Sequence, residues 1–166
     1  MLSLCRTIRP FLVAGMTVIV GACSSWSGGE EFTLGSVATP ASADLRLANA
    51  QFQEGAYGNA EKHFKIAVEK EPKNPEAWLG LAASYDYLRR FDLADKAYGK
   101  VRHLAGDTPT VLNNIGYSHL LRGDLNRARY FLSTAYQGDP SDDRIISNIE
   151  TLNEMLMKKG EHPLPT

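Results

Sequence analysis

The side chains that could bind a metal ion or act as nucleophiles belong to two cysteines and four histidines. They are Cys5, Cys23, His63, His103, His119 and His162. No two histidines have the i, i+4 spacing that puts both ligands on one face of a helix, and no cysteine lies beside them to complete a zinc site. The glycines form no phosphate-binding loop, and no serine lies in a nucleophile motif. The sequence therefore predicts no catalytic residue, no metal site and no cofactor, and it argues against an enzyme.

Residues 1–22 have the pattern of an export signal. Arg6 and Arg9 precede an apolar stretch of about a dozen residues, and the segment contains no acidic residue. This stretch is shorter than the roughly 20 residues that span a bilayer. We therefore expect the segment to direct export and then to be removed.

The end of this segment, residues 20–23 with the sequence Val-Gly-Ala-Cys, resembles the lipobox of bacterial lipoproteins. The resemblance implies that Cys23 is lipidated and becomes the acylated N-terminus. Ser24 stands where an inner-membrane retention signal would often place Asp, which favours the outer membrane, on its periplasmic face. The alternative is an ordinary secretory signal that is cut near Ala22 and leaves a free thiol.

Charge and cysteine content narrow the range of partners. Removal of residues 1–22 lowers the number of basic residues from 18 to 16, against 19 acidic residues, and gives a formal net charge of −3. Such a chain lacks the basic field that nucleic-acid binding requires. Cys5 leaves with the signal and Cys23 would carry lipid, so no disulfide can form. We expect protein partners, a membrane contact through the lipid anchor, no nucleic acid and no small-molecule substrate.

A 34-residue period governs the chain from residue 41. Windows at 41–74, 75–108 and 109–142 place small residues at the eighth and twentieth positions and large apolar residues at the seventh and twenty-fourth. The small residues are Ala48, Ala82 and Gly116, then Ala60, Ala94 and Ala128. The large ones are Leu47, Leu81 and Ile115, then Phe64, Tyr98 and Leu132. The small residues let two helices approach closely, and the large ones pack between them. This pattern, repeated every 34 residues, resembles the tetratricopeptide repeat.

Each period predicts two helices joined by a tight turn. In the second unit these run from Pro75 to about Leu88 and from Leu93 to about Leu104, and Arg89 stands where the other units have the turn glycines Gly55 and Gly123. Asp44 departs from the repeat because Trp78 and Leu112 stand at that position in the other units. After Pro140, Ser141 or Asp142 caps a closing helix that runs to about Lys159.

The predicted fold is an all-α solenoid of three helix-turn-helix units plus a C-terminal capping helix. We divide the chain into a signal peptide (1–22), a lipidated flexible tether rich in Ser and Gly (23–40), the repeat domain (41–160) and a tail (161–166). His119 takes the position that Tyr85 has in the second unit, and we expect a packed, hydrogen-bonded histidine there.

The resemblance implies a protein-binding groove lined by the first helix of each unit. Mapped onto this chain, its lining is Asn49, Phe52, Leu79, Asp86, Tyr87, Asn113, Asn114, Tyr117 and Leu121. Aromatic residues supply contact area at low entropic cost, and amides can pair with the main chain of a bound peptide. The alternative for Asn113 and Asn114 is a bond between adjacent helices. The basic clamp that some family members use on C-terminal carboxylates is missing.

A closer resemblance involves residues 77–86 and 110–124, which look like the TadD lipoproteins of tight-adherence (Flp) pilus systems. It implies a non-enzymatic scaffold at the outer membrane that helps a secretin or other pilus-assembly components to localise or assemble. The alternative is a periplasmic lipoprotein adaptor in another envelope process, such as the regulation of cell-wall enzymes.

Overall fold

The computed structural model describes residues 40–164, and every regular element within them is a helix. The helices are α1 (Pro40–Gln53), α2 (Tyr57–Lys70), α3 (Pro75–Tyr87), α4 (Phe91–Ala105), α5 (Pro109–Arg122), α6 (Leu125–Gly138) and α7 (Asp143–Lys158). They form three antiparallel pairs and a closing helix, so the predicted all-α repeat fold is confirmed. None of the described helices is long and apolar enough to cross a bilayer. The signal peptide, Cys23 and the tether up to residue 39 lie outside the described residues.

Local sequence fixes the helix starts. Asn74 accepts hydrogen bonds from the backbone of Glu76 and Ala77 at the start of α3, and Thr108 accepts one from Val111 at the start of α5. These caps satisfy N–H groups that have no partner within a helix. Of the two candidates for the cap of α7, the structure uses Asp142. Helix α4 begins two residues earlier than predicted, at Phe91.

The periodic small residues lie where the two helices of a unit meet. The alanines at the eighth and twentieth positions have no exposed surface. At Gly116, an added Cβ would lie 2.7 Å from Cγ of Leu132. Gly80 lies outside this pattern and makes a close contact between two units, where an added Cβ would lie 2.2 Å from the ring of Phe64, far inside van der Waals contact. The close approach of α3 to α2 and of α5 to α6 therefore requires glycine at these two positions.

Two departures in the first unit have physical explanations. Leu47 is 44 % exposed, although Leu81 and Ile115 at the same repeat position are 3 % and 7 % exposed. The preceding unit shields this position in α3 and α5, whereas no described helix precedes α1. Asp44 stands where the other units have an apolar residue. Its carboxylate forms an ion pair with Lys70, whose Nζ lies 2.5 Å away.

The turns between paired helices need one residue with positive φ. Gly55 and Gly123 supply it at 76° and 75°, and Arg89 adopts 58° at the equivalent position. The left-handed region costs an L-residue roughly 1–2 kcal/mol and costs glycine almost nothing. Arg89 recovers part of this cost, since its guanidinium lies 5.1 Å from the centre of the Phe91 ring.

We expect Arg89→Gly to raise the free energy of unfolding by about 0.5–1 kcal/mol, because relief of the positive φ outweighs the lost contact with Phe91. Thermal and urea unfolding followed by circular dichroism measure the change. Arg89→Ala is the matched control, since it loses the same guanidinium but keeps the strained backbone, and it should be less stable than the native chain. Equal stability of the two variants would contradict the assignment of strain.

Candidate peptide-binding groove

The first helices of the units and the closing helix line a groove made of two adjoining pockets. One pocket has a volume of about 320 Å³ and is lined by Asn49, Phe52, Gln53, Phe64, Glu76, Leu79, Gly80, Ala83, Thr110, Asn114 and Arg144. The other has a volume of about 460 Å³ and is lined by Tyr87, Asn113, Asn114, Tyr117, Arg144, Ser147, Asn148 and Thr151. Because Asn114 and Arg144 line both pockets, we treat the two as one groove.

Four aromatic rings form a continuous cluster beside the groove, which we call the aromatic cluster. The ring of Tyr87 stacks on Tyr57 with centroids 4.2 Å apart, and it meets Phe52 edge-on at 5.4 Å. Tyr117 extends the cluster, with its centroid 6.3 Å from that of Tyr87 and a 3.3 Å contact between their hydroxyl oxygens. Desolvation raises the pKa of Tyr87 well above its usual value. The Tyr87 hydroxyl therefore stays neutral and can both donate and accept a hydrogen bond.

Tyr57 belongs to this cluster but is not among the groove residues that the sequence predicted. The residue opens α2 and reaches back to Phe52 at the end of α1, with ring centroids 5.2 Å apart. The available signal was an aromatic residue in the otherwise small sequence of residues 55–58, Gly-Ala-Tyr-Gly. Arg144, which lines both pockets, was also missed, although it takes the same repeat position as Glu76 and Thr110, which line the first pocket.

The three predicted asparagines are held in different ways. Asn113 is buried and accepts a 2.9 Å hydrogen bond from Nδ2 of Asn148. It therefore joins α5 to α7, which is the bond between helices given above as its alternative role. Asn114 donates to the carbonyl of Thr110 within its own helix, at 2.8 Å. Asn49 donates to Glu76 at 3.3 Å. The Oδ1 of Asn114 has no partner within the described part of the chain, which leaves an acceptor available between the two pockets.

Asp86 does not face the groove, contrary to expectation. It is 3 % exposed and accepts hydrogen bonds from Tyr98 at 2.8 Å and from Ser118 at 2.6 Å. A guanidinium nitrogen of Arg122 lies 3.6 Å away. Burial raises the pKa of the Asp86 carboxyl, and the hydrogen bonds from Ser118 and Tyr98 and the charge of Arg122 oppose that rise. Asp86 therefore joins α3, α4 and α5 inside the domain.

Leu121 also departs from the prediction, since it lines neither pocket. It lies at the last turn of α5, half-buried, and its carbonyl is 3.5 Å from the guanidinium of Arg89. The structure brings the remaining predicted residues together at the two pockets. Asn49, Phe52 and Leu79 line the first pocket, Tyr87, Asn113 and Tyr117 line the second, and Asn114 lines both.

The groove carries little net charge. Glu76 is the one carboxylate among its lining residues, and Arg144 is paired with Asp142 at 2.6 Å. Within residues 40–164, no group of three or more histidine, cysteine or carboxylate side chains could hold a metal ion. The groove therefore offers aromatic area, amides and hydroxyls, which suit an extended peptide of low charge.

His119 is packed as expected but makes no hydrogen bond through Nδ1. It is 7 % exposed, and its ring stacks parallel to Phe131 with centroids 5.5 Å apart. Nδ1 is buried without a hydrogen-bond partner, 3.7 Å from the Asp124 carboxylate. Desolvation lowers the pKa of His119 below 6.5, the charges of Arg122 and Arg127 lower it further, and Asp124 and Asp95 oppose this.

We expect stability to fall as the pH drops below about 6.5, because the unfolded chain then binds a proton that folded His119 resists. The loss of stability through His119 is absent at higher pH. Below about pH 6.5, the free energy of unfolding falls with a limiting slope of about 1.4 kcal/mol per pH unit. Urea unfolding of the native chain and of His119→Tyr between pH 5 and 8 measures it, since Tyr85 fills the same repeat position. An unchanged pH profile in the variant would remove His119 as the cause.

Helix pairs stacked around a groove of this composition define a protein-interaction solenoid. Two models of the tetratricopeptide repeat match the sequence, one over residues 41–84 and one over residues 79–143. Together they cover more than half of the chain, which therefore belongs to the tetratricopeptide-repeat family. No curated protein sequence gives a significant match.

Solved structures with the same fold come from diverse proteins. The first tetratricopeptide domain of human RPAP3 is 18 % identical, with a TM-score of 0.63 over 72 % of this chain and 94 % of that one. The type III secretion translocator chaperone SycD of Yersinia enterocolitica is 22 % identical, with a TM-score of 0.62 over 72 % and 93 %. PilF of Pseudomonas aeruginosa is 24 % identical, with a TM-score of 0.62 over 73 % and 55 %. At these identities the similarity shows the fold alone.

Proposed function

We propose that this protein is a lipoprotein scaffold, anchored in the outer membrane through Cys23, that binds a segment of a pilus or secretion apparatus on its periplasmic side. The observation that carries the proposal is the aromatic cluster in a groove that also offers the free amide oxygen of Asn114. Tetratricopeptide folds generally serve protein interaction, and this groove has the shape and chemistry for that task.

The groove chemistry supports an extended peptide as the ligand. Tyr87 and Tyr117 offer large rings that are already held in place, Tyr87 by stacking on Tyr57 and Tyr117 by its ring and hydroxyl contacts with Tyr87, so binding orders few side chains. The free Oδ1 of Asn114 can accept a hydrogen bond from a peptide N–H. The groove has no cluster of lysine and arginine for a terminal carboxylate, so we expect an internal segment of the partner rather than a charged tail.

Proteins of the same fold supply a precedent for peptide capture. SycD has been solved in complex with a peptide of the translocator YopD, and the first tetratricopeptide domain of Spaghetti (RPAP3) has been solved with an HSP90 peptide. The resemblance of residues 77–86 and 110–124 to the TadD lipoproteins of tight-adherence pilus systems favours a client in a pilus or secretion system over other envelope partners. The export signal and the lipobox at Cys23 favour the periplasmic face of the outer membrane.

Photocrosslinking in the native host tests the proposal. A photoreactive amino acid at Gln53, which is exposed and lines the first pocket, should form an adduct with a secretin or a pilus-assembly component. Tyr130 is exposed on α6 and lines neither pocket, so the same amino acid at Tyr130 is the matched control. An adduct from Tyr130 alone would show that the partner binds outside the groove. An adduct from Gln53 with a protein of another process would overturn the pilus or secretion role.

We expect Cys23→Ser to abolish the lipid anchor, because the serine hydroxyl cannot form the thioether. The variant should be recovered as a soluble protein or as an unprocessed precursor, and metabolic labelling with a palmitate analogue should fail. Cys5→Ser is the control, since Cys5 lies in the segment that is removed. Normal recovery of Cys23→Ser in the outer-membrane fraction would contradict lipidation.

A further inference from the structure

The chain after α7 folds back across the last two helices. Gly160 adopts a φ of 73°, and the N–H of Glu161 bonds to the carbonyl of Leu156 at 3.0 Å. These features reverse the direction of the chain, so that residues 161–164 run beside α7 and bridge it to α6. We call residues 161–164 the strap.

The strap is held mainly through its backbone. The side-chain amide of Asn153 makes two hydrogen bonds with Leu164: Nδ2 donates to the Leu164 carbonyl at 3.0 Å, and Oδ1 accepts from the Leu164 N–H at 2.7 Å. Arg129 on α6 donates to the carbonyl of His162 at 2.8 Å. The Leu164 side chain is half-buried against the apolar cluster around α6 and α7. One amide, one guanidinium and one apolar contact thus recognise a short extended peptide.

The repeat pattern explains why this surface is available. Asn153 takes the same position in α7 that Tyr85 and His119 take in the earlier units, where His119 stacks on Phe131 of its own return helix. The last unit has no return helix within the described residues, and Glu150 fills the position of Gly116, where close helix packing needs a small residue. The strap occupies the place that a return helix would otherwise cover.

The sequence of the strap suits it to be a ligand. His162 and Leu164 each precede a proline, which restricts both to extended conformations and so lowers the entropy lost on docking. Four hydrogen bonds, a 3.8 Å ion pair between Glu161 and Arg129 and one half-buried leucine hold the segment, which is far less than holds a helix of the domain. Segments with so few contacts open locally without unfolding the rest of the protein.

We propose that this face of α6 and α7 is a second peptide-binding site, filled in the resting protein by the strap and taken over by a partner segment that carries a leucine between prolines. The site shares no residue with the groove, so it does not depend on the function proposed for the groove. The partner is a different protein, because a second copy of this chain would have to release its own strap and would gain no contact in the exchange.

A trans-binding experiment tests this site. The probe is a fluorescent synthetic peptide of residues 160–166, titrated by anisotropy into the full chain in detergent. Leu164→Asp removes the apolar contact of the strap and leaves Asn153 and Arg129 free, so it should bind the probe at least about tenfold more tightly than the native chain. Adding Asn153→Ala should abolish this gain, whereas adding Glu154→Ala, at an exposed neighbour on α7, should leave it unchanged.

The proposal would be overturned if Leu164→Asp bound the probe no more tightly than the native chain does. It would also be overturned if adding Asn153→Ala and adding Glu154→Ala reduced the gain in affinity equally. If Leu164→Asp loses helicity, hydrogen exchange on the native chain decides instead. The Leu164 amide should be protected, and excess probe should accelerate its exchange at least about threefold while the α6 and α7 amides stay unchanged. An unprotected Leu164 amide, or a rate that the probe does not alter, would mean that no exchangeable strap exists.

Discussion

Replacement of Asp86 by alanine should lower the free energy of unfolding by about 3 kcal/mol. The substitution leaves the hydroxyls of Tyr98 and Ser118 without an acceptor, and both residues are buried. It also removes a countercharge from Arg122, whose Nε is buried without a partner. Urea unfolding followed by circular dichroism measures the loss. Asp86→Asn keeps one acceptor and the shape of the side chain, so we expect it to lose less.

Asp107→Ala is the matched control for this experiment. Asp107 pairs with Arg102 through two hydrogen bonds of 2.6 and 2.7 Å, but both side chains are about half exposed. Exposed ion pairs contribute little to stability, and we expect a loss of at most about 0.5 kcal/mol. If Asp86→Ala lowered the free energy of unfolding no more than Asp107→Ala does, the buried hydrogen bonds of Asp86 would not stabilise the contact between units two and three.

The second large effect should come from Tyr87→Ala combined with Tyr117→Ala. We expect affinity for the partner segment identified through Gln53 to fall about 100-fold, since two aromatic hot spots lost together are worth roughly 3 kcal/mol. Fluorescence anisotropy with that segment measures the change. Helicity should remain, because neither residue lies among the fully buried side chains of the core.

Two controls make this prediction specific. Tyr87→Phe removes only the 3.3 Å hydroxyl contact with Tyr117 and should cost less than about threefold. Tyr130→Ala removes an exposed tyrosine outside the groove and should change nothing. Unchanged binding by the double variant would exclude the aromatic cluster from recognition. Asn113 is a poor choice for such a test, because its removal would leave Asn148 unpaired and disturb the contact between α5 and α7.

The groove could be predicted in part because its frame repeats. Helical positions that recur every 34 residues face the same way in each unit, so Phe52, Tyr87 and Tyr117 were placed beside the groove from the sequence. The same rule failed for Asp86. Tyr98 and Ser118, 12 and 32 residues away, draw its carboxylate inward, and a repeat pattern says nothing about polar partners that occur in one unit only.

The sequence by itself determined the helix pairs and their spacing, because these depend on residues within one turn or one unit. Small residues at fixed intervals dictated close helix packing wherever they occurred. Only the tertiary structure decided that Tyr57 joins the aromatic cluster, that Asp86 lies inside the domain and that the strap binds Asn153. Each of these depends on contacts between distant or unrepeated residues, whose partners are chosen by packing and by the need to satisfy buried polar groups.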